Sequence, residues 1–289
     1  MKKTILVTGA NGQLGQSLQM LQSTANENIE WLFCGRKELD ITDNEAVTNY
    51  FEKNKIDVLF NCAAYTQVDR AENEEEKAYQ VNAEACKYLA EACHKNDTLF
   101  VHISTDFVFD GTKGTPYKTN DKTKALGIYG KSKLRGEQYV QDLAERYVII
   151  RTAWVYSPFL NNFVKTMRRL GNARAEIGVV YDQIGSPTYA VDLAATMIEI
   201  QEQIGEKQIA KTYHFSNQGI ISWFDFATNI MKLSNLQCKV KPIETHEYPT
   251  PAHRPSYSVL WTRDIQNDFG LNISYWSDSL EKCIQILEK

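Results

Sequence analysis

The sequence predicts an α/β protein with an open, mostly parallel sheet, and three observations favour this fold class. The 289 residues, 43% of them apolar, suffice for one large α/β domain, alone or with a smaller companion. Apolar runs typical of strands alternate with segments whose apolar residues recur at helical spacing. Small or hydroxyl-bearing residues follow the strands, at the edge where open α/β sheets bind ligands.

The first unit is "KKTILVTGANGQLGQSLQMLQ", a β-branched run, a glycine turn and leucines at helical spacing. Glycines allow a tight turn and a close approach to a pyrophosphate, whose charge then sits at a helix N-terminus. The alternative is a merely structural turn, but the strand-to-helix context favours dinucleotide binding. The candidate cofactor-binding residues of this turn are Gly9, Asn11, Gly12, Gln13, Leu14 and Gly15.

The second strand, "IEWLFCGR", bears on which cofactor is bound. An acidic residue at its end would hydrogen-bond the ribose 2′-OH of NAD, but the strand ends in Gly35 and Arg36. A guanidinium there can pair with a 2′-phosphate, so NADPH is favoured, with NADH left open as an accepted cofactor. The alternative for Arg36 is an ordinary exposed arginine.

Two further strands carry residues at the ligand-binding edge. "DVLFNCAAYT" ends in Ala63, Ala64 and Tyr65, and the small side chains let a cofactor lie across the strand end. "DRAENEEEKAYQVNAEACKYLAEACHKN" predicts one helix in which residues 74–76 form a solvated face. The fourth strand, in "TLFVHIS", leads into "STDFVFDG", and Ser104, Thr105 and Asp106 are predicted to lie at or just past the strand end.

Tyr129 and Lys133, in "IYGKSKLRGEQYV", are four residues apart at the start of a predicted helix, so they share one face. Alone they would be an ordinary surface pair. A ketone reduced by hydride needs a proton donor and a hydrogen-bonding partner, and Tyr129 and Thr105 fit those roles. We expect the ammonium of Lys133 to lower the pKa of Tyr129 and to hydrogen-bond the nicotinamide ribose.

Composition excludes several other classes. A net charge of −4 argues against a general nucleic-acid binder, and no apolar run in the sequence reaches membrane-spanning length. The six cysteines are scattered without metal-ligand spacing, which predicts reduced core residues of a cytoplasmic protein. The five histidines include no close pair at helical spacing, so no metal site is predicted.

The glycine spacing G-x-x-G-x-x-G, with Ser-Thr and Tyr-x-x-x-Lys in order, resembles the extended short-chain dehydrogenase/reductase superfamily. Over nearly the whole chain the sequence is similar to its dTDP-4-dehydrorhamnose reductase family. The motifs that carry this resemblance are "TGANGQLGQ", "NCAAYTQVDRAE", "STDFVFDG", "YGKSKLRGE", "IRTAWVYSP", "DQIGSPTYAVDLA" and "HRPSYSVL".

The resemblance implies a Rossmann-type doubly wound parallel sheet with a smaller C-terminal substrate-binding α/β domain. The dinucleotide-binding domain would cover residues 1–153, with a returning segment near 186–216 that includes a helix from Tyr189 to Ile204. The substrate-binding domain would comprise residues 154–185 and 217–289.

The family pattern also implies roles for individual residues. Asp40 and Ile41 would lie beside the adenine, and Trp154 would pack on the sugar ring, with a plain core aromatic as the alternative. Val68 would line the sugar pocket, and Thr105 and Asp106 would meet its polar groups. Arg254 is a candidate for the diphosphate of the dTDP-sugar, with a surface arginine as the alternative.

The implied reaction is reduction of the 4-keto group of a dTDP-4-keto-6-deoxy-L-sugar. Three alternatives share the fold: a nucleotide-sugar dehydratase or epimerase, a reductase of another nucleotide sugar, and a non-catalytic regulatory subunit like that of methionine adenosyltransferase. Phe107 argues against a dehydratase, since dehydratases of the superfamily carry an acid there. Some family members bind Mg²⁺ through glutamates at a dimer contact, but the positions cannot be matched here, so Mg²⁺ and a homodimer are left open.

Overall fold

The computed structural model describes residues 2–23 and 27–289, so the first residue of the predicted dinucleotide-binding domain and residues 24–26 lie outside the described residues. Six strands form the central sheet in the order β10-β5-β4-β3-β1-β2, and every neighbouring pair is parallel. Their bounds are β1 Lys3–Thr8, β2 Ile29–Cys34, β3 Val58–Asn61, β4 Leu99–Thr105, β5 Tyr147–Thr152 and β10 Ala210–His214.

The remaining strands are short and pair two by two, as β6 with β9, β7 with β12 and β8 with β11. Their bounds are β6 Val155–Tyr156, β7 Glu176–Val180, β8 Ile184–Gly185, β9 Thr188–Tyr189, β11 Ile221–Ser222 and β12 Lys239–Ile243. The helices are α1 Gln13–Leu21, α2 Asn44–Lys53, α3 Val68–Ala71, α4 Glu75–Tyr79, α5 Ala85–Lys95, α6 Ile128–Leu143, α7 Phe163–Ala173, α8 Ala190–Ile204, α9 Trp223–Leu233, α10 Arg263–Phe269 and α11 Trp276–Leu287.

Helices cover both faces of the central sheet, which is the doubly wound Rossmann arrangement that the resemblance implied. One buried cluster joins the sheet to α1, α8 and α10, and a second joins its other face to α2, α5 and α6. Strand order reverses between β1 and β3, so the crevice at the carboxyl ends of these two strands is the expected ligand site. The predicted fold class is confirmed.

A third buried cluster belongs to the C-terminal half of the chain and packs α7, α9 and α11 against the short strands. By contrast, α8 packs on α1, and β10 pairs with β5 in the central sheet. The helix predicted from Tyr189 begins one residue later, at Ala190. Tyr189 instead belongs to β9, where it pairs with Tyr156 of β6. The domain boundaries drawn from the sequence stay a prediction.

One local prediction about secondary structure was wrong, and a second is narrowed by the structure. The single helix predicted after β3 is a short α3 followed by α4 and α5, which are joined by a π-helical turn, Gln80–Glu84. Ser104 and Thr105 lie at the end of β4 rather than past it, as its last two residues, because they pair with Arg151 and Thr152 of β5. Thr105 is therefore held by a ladder on the sheet rather than by a loop.

All six cysteines lie in the described part of the chain and are free thiols, five of them buried, as predicted. None of the described helices combines the length and the apolar character needed to cross a membrane.

Candidate active site

The glycine turn between β1 and α1 is shaped by close backbone contacts. Gly9 has a φ of +66°, and a Cβ there would lie 2.6 Å from the backbone nitrogen of Ala63, so only glycine fits. Gly12 precedes α1, whose described part carries neither a side-chain cap nor an acidic residue in its first turn. The N–H groups of this helix end remain available for an anion.

The turn opens onto a cleft of about 320 Å³ at the predicted crevice. Eight of the predicted cofactor residues line it, namely Gly9, Asn11, Gly12, Arg36, Asp40, Ile41, Ala63 and Ala64. The sequence reasoning missed five others: Gly35, Leu39, Thr42, Cys62 and Val81. Cys62 directly precedes the predicted small residues, so its position was a usable signal, whereas Val81 comes from the π-helical turn and no sequence signal placed it there.

Arg36 lies at the rim of this cleft with its side chain 77% exposed. Its Nε donates to Oδ2 of Asp40 at 3.1 Å. The pKa of Asp40 is lowered, first by the hydrogen bond from the Thr42 hydroxyl and further by Arg36. The guanidinium is thus held at the end of β2 with most of its surface free to meet a phosphate.

Four predicted cofactor residues have other contacts. Oε1 of Gln13 accepts from Ser157 Oγ and Asn162 Nδ2, both at 2.9 Å. Leu14 is buried in the core, and a Cβ on Gly15 would lie 2.5 Å from the carbonyl oxygen of Gly9, so this glycine lets α1 pack on the turn. Tyr65 is buried, and its hydroxyl donates to Oε2 of Glu74 at 2.9 Å.

Glu75 and Glu76 are exposed, as the predicted solvated face requires, whereas Glu74 is half-buried. It accepts hydrogen bonds from Tyr65, Arg70 and Lys77. Glu74 directly precedes α4, where its carboxylate accepts from Tyr65, a residue just beyond the end of β3.

Tyr129 and Thr105 lie within hydrogen-bonding distance of each other at the carboxyl end of β4. Burial raises the pKa of Tyr129 to about 12, a hydrogen bond with Thr105 acts in the opposite direction, and the charge of Asp106 raises it further. Asp106 is buried, and its Oδ1 accepts from Thr105 Oγ1 at 3.0 Å. Burial raises the pKa of Asp106 to about 6. The arrangement keeps Tyr129 protonated at neutral pH, so it can donate a proton.

Lys133 lies on the same face of α6, but burial rather than the ammonium of Lys133 is the largest influence on the pKa of Tyr129. Its Nζ donates to the carbonyl oxygen of Ile103 at 2.7 Å and lies 3.3 Å from Nε2 of His102. The side chain is 2% exposed, and burial lowers the pKa of Lys133. Burial therefore dominates the pKa of both members of the pair.

Two residues that the sequence reasoning did not single out hold α6 in place. Oε1 of Glu72 accepts from the backbone N–H of Ile128 at 2.9 Å, which places a carboxylate at the helix N-terminus. Asn82, in the π-helical turn, donates to Ser132 Oγ at 3.0 Å and to the carbonyl oxygen of Tyr65 at 3.1 Å. Asn82 thus links the end of β3 to the helix that carries Tyr129.

The predicted substrate residues belong to different segments. Trp154 has a φ of +50°, is half-buried, and stacks on Trp223 with ring centroids 3.7 Å apart. Val68 is half-buried at the start of α3. Arg254 makes a bidentate ion pair with Asp69, so its charge already has a partner. Its assignment to a diphosphate stays a prediction.

Within residues 2–23 and 27–289, no group of three or more histidine, cysteine, aspartate or glutamate side chains could hold a metal ion. The structure therefore gives no support to Mg²⁺ in this chain.

A parallel doubly wound sheet with a glycine turn and a Tyr129–Lys133 pair at its carboxyl edge defines a Rossmann-type oxidoreductase of the short-chain dehydrogenase/reductase class. The family model described as RmlD substrate binding domain matches residues 1–289. The dTDP-4-dehydrorhamnose reductase of Aggregatibacter actinomycetemcomitans is 43% identical over 286 residues, or 96% of this chain and 97% of that protein. The chain belongs to this family of reductases, as the motifs indicated.

Two solved structures are similar along their whole length. The dTDP-4-dehydrorhamnose reductase of Clostridium acetobutylicum has a TM-score of 0.93 and 41% identity, covering 99% of this chain and 100% of that one. That of Bacillus anthracis, in complex with NADP, has a TM-score of 0.93 and 39% identity, with the same coverage.

Proposed function

We propose that this protein uses NADPH to reduce the 4-keto group of dTDP-4-dehydro-6-deoxy-L-mannose, giving dTDP-L-rhamnose. One observation carries the proposal: Thr105, Tyr129 and buried Lys133 meet at the strand edge beside a cleft lined by the glycine turn. The names of the relatives support the substrate, and the NADP complex of the Bacillus anthracis protein supports the cofactor.

The residues around the cleft fit a dinucleotide. The uncapped N-terminus of α1 would bind the pyrophosphate, and Arg36 would pair with the 2′-phosphate. Asp40 and Ile41 would flank the adenine, while Ala63 and Ala64 leave room for the cofactor at the end of β3. Bound NADPH supplies the hydride.

Tyr129 supplies the proton. As a hydride adds to the carbonyl carbon, the C–O π electrons move onto oxygen, and the Tyr129 hydroxyl protonates that oxygen. The single hydroxyl proton of Thr105, which Asp106 accepts in the described structure, would turn to the developing charge as a second hydrogen bond. Lys133 then stabilises the phenolate left on Tyr129 and hydrogen-bonds the ribose, and solvent returns the proton.

The sugar would bind between the two halves of the chain. Val68 and Trp154 would contact its ring, Asp106 would accept from a sugar hydroxyl, and Arg254 would face the diphosphate. Oδ2 of Asp106 is buried and makes no hydrogen bond of ordinary geometry with the described residues, although the Ser258 side chain lies close enough to lower the pKa of this carboxyl. Oδ2 therefore has the capacity to accept a hydrogen bond.

The decisive experiment incubates the protein with NADPH and dTDP-4-dehydro-6-deoxy-L-mannose and follows the absorbance of the reduced cofactor. We expect stoichiometric oxidation of NADPH and formation of dTDP-L-rhamnose. A folded protein that binds NADPH without turnover would instead support the regulatory-subunit alternative. Conversion of dTDP-glucose to its 4-keto-6-deoxy product would support the dehydratase alternative.

A further inference from the structure

Four polar side chains form a buried row that runs from β1 to α6: Thr8, Asn61, His102 and Lys133. Thr8 Oγ1 lies 2.7 Å from Asn61 Oδ1, Asn61 Nδ2 lies 3.1 Å from His102 Nδ1, and His102 Nε2 lies 3.3 Å from Lys133 Nζ. None of the four is more than 2% exposed. The proposed reaction uses only Lys133, so the other three need a separate explanation.

We propose that His102 is a positioning residue for the reduction: its neutral imidazole accepts a hydrogen bond from Lys133 and fixes the ammonium group for its work on the cofactor and Tyr129. The inference rests on the proposed function, because His102 acts only through Lys133. It does not touch the reacting atoms.

The geometry gives His102 a specific task. A lysine ammonium is a point charge with three N–H donors on a flexible four-carbon chain, so it needs fixed acceptors to hold one position. The carbonyl oxygen of Ile103 is one acceptor and His102 Nε2 is the other, both presented by β4. Two donors held in this way leave the third for the ribose.

The other titratable groups around Lys133 do not offer its ammonium a free charged partner, so the neutral acceptor on His102 becomes more important. The titratable groups that face the ammonium, besides His102, are Cys86, Glu137 and Cys62. Burial raises the pKa of both thiols, so they stay uncharged, and Glu137 is occupied by a buried ion pair with Arg151.

Burial and the nearby ammonium hold the pKa of His102 well below its ordinary value, so the imidazole stays neutral. A neutral imidazole has one donor and one acceptor nitrogen, and Nε2 can accept from Lys133 only when the proton is on Nδ1. In the described orientation the Asn61 amide nitrogen faces Nδ1 and its oxygen faces Thr8. The accepting tautomer requires the amide turned by 180°, with its oxygen toward Nδ1 and its nitrogen toward Thr8, whose hydroxyl can accept. Asn61 is therefore the group that selects the tautomer of His102, a choice inferred from hydrogen bonding.

Three substitutions at His102 separate this role from simple packing. In His102→Gln the amide reaches the position of Nε2, in His102→Asn it reaches only the position of Nδ1, and His102→Leu has no polar atom. The dissociation constant of NADPH is measured by fluorescence titration, kcat by cofactor oxidation, and folding by circular dichroism and thermal melting.

We expect His102→Asn and His102→Leu to weaken NADPH binding and lower kcat tenfold or more, while His102→Gln retains both within about threefold. In the background of Lys133→Met, His102→Leu should add little further loss of NADPH affinity, because the group it positions is gone.

A purely structural role predicts a different pattern. Activity per folded molecule would then be equal in the three variants, or losses would follow melting temperature and add in full to those of Lys133→Met. Either result overturns the inference. If the parent protein neither binds NADPH nor reduces the sugar, the proposed function itself fails, which is a separate outcome. Should His102→Leu not fold, the comparison of the Gln and Asn variants decides.

Discussion

Arg254 contacts both carboxylate oxygens of Asp69, with Nη1–Oδ1 at 2.9 Å and Nη2–Oδ2 at 2.7 Å. The pair joins the C-terminal segment to α3, directly after the strand end that borders the cofactor cleft. The hydrogen bond from the Arg254 guanidinium is also the largest influence on the pKa of Asp69, which it lowers. An arginine with this partner either only connects the two segments or connects them while presenting its remaining surface to the diphosphate.

The first prediction separates these roles. Arg254→Ala should raise the KM for the dTDP-sugar about tenfold, because a charge-assisted hydrogen bond to phosphate is lost. Asp69→Asn breaks the same ion pair but leaves the guanidinium, so its KM should change much less, while both variants melt at similarly lowered temperatures. Equal KM values in the two variants would assign Arg254 to the connection alone.

The second prediction is that Tyr129→Phe lowers kcat by about 10² to 10⁴-fold, since general acid catalysis typically contributes that much. The ring and its edge contact with Phe107 are kept, so NADPH affinity and melting temperature should hardly change. Steady-state kinetics and cofactor titration check this.

Tyr139→Phe is the matched control, because Tyr139 lies on the same helix and its hydroxyl donates only to Glu84 Oε1, at 3.2 Å, among the hydrogen bonds of the described residues. It should keep normal kcat. A Tyr129→Phe variant with near-normal kcat would mean that another group delivers the proton.

The third prediction concerns the choice of cofactor. Arg36→Ala should weaken NADPH binding about tenfold or more and leave NADH little changed, since a charge-assisted hydrogen bond is worth roughly 1.5 to 3 kcal/mol. Titration of the variant with each cofactor measures both constants. Lys37→Ala removes an equal charge from the adjacent exposed position and should leave the ratio unaltered. Equal losses of affinity for NADPH and NADH after Arg36→Ala would show that Arg36 does not bind the 2′-phosphate.

The fourth prediction is a pH dependence of stability that originates in the site. The pKa of buried Asp106 is about 6 when folded and near 3.9 when unfolded, so the folded state binds its proton more tightly. The carboxyl therefore destabilises the fold above pH 6, by about 3 kcal/mol, and this cost disappears as the pH falls toward 4. Asp106→Asn should melt higher than the parent protein at pH 7.5, with the difference shrinking toward pH 4.

Asp110→Asn should change the melting temperature in the opposite direction. Hydrogen bonds from Thr112 lower the pKa of Asp110, so its carboxylate stabilises the fold above its unfolded pKa and loses that contribution as the pH falls. This variant should melt lower than the parent at pH 7.5 and approach it in acid. If Asp106→Asn followed the same pattern as Asp110→Asn, burial would not be the dominant influence on Asp106.

The sequence by itself determined those features of this protein that rest on local patterns. The glycine turn into α1 could be predicted because Gly9 has a positive φ and a close backbone approach that few other residues allow. Tyr129 and Lys133 could be predicted to share a face because helical spacing alone decides it. The order of these motifs along the chain was specific enough to indicate the family.

Only the tertiary structure decided the contacts between distant segments. The helical segment after β3 breaks between α3 and α4. Asn82 contacts Tyr65 and Ser132, and Arg254 pairs with Asp69, so these contacts join residues up to 185 positions apart. Burial likewise decided the pKa of Tyr129, which the sequence reasoning expected Lys133 to lower. Desolvation depends on everything packed around a group, and spacing along a chain carries no record of that packing.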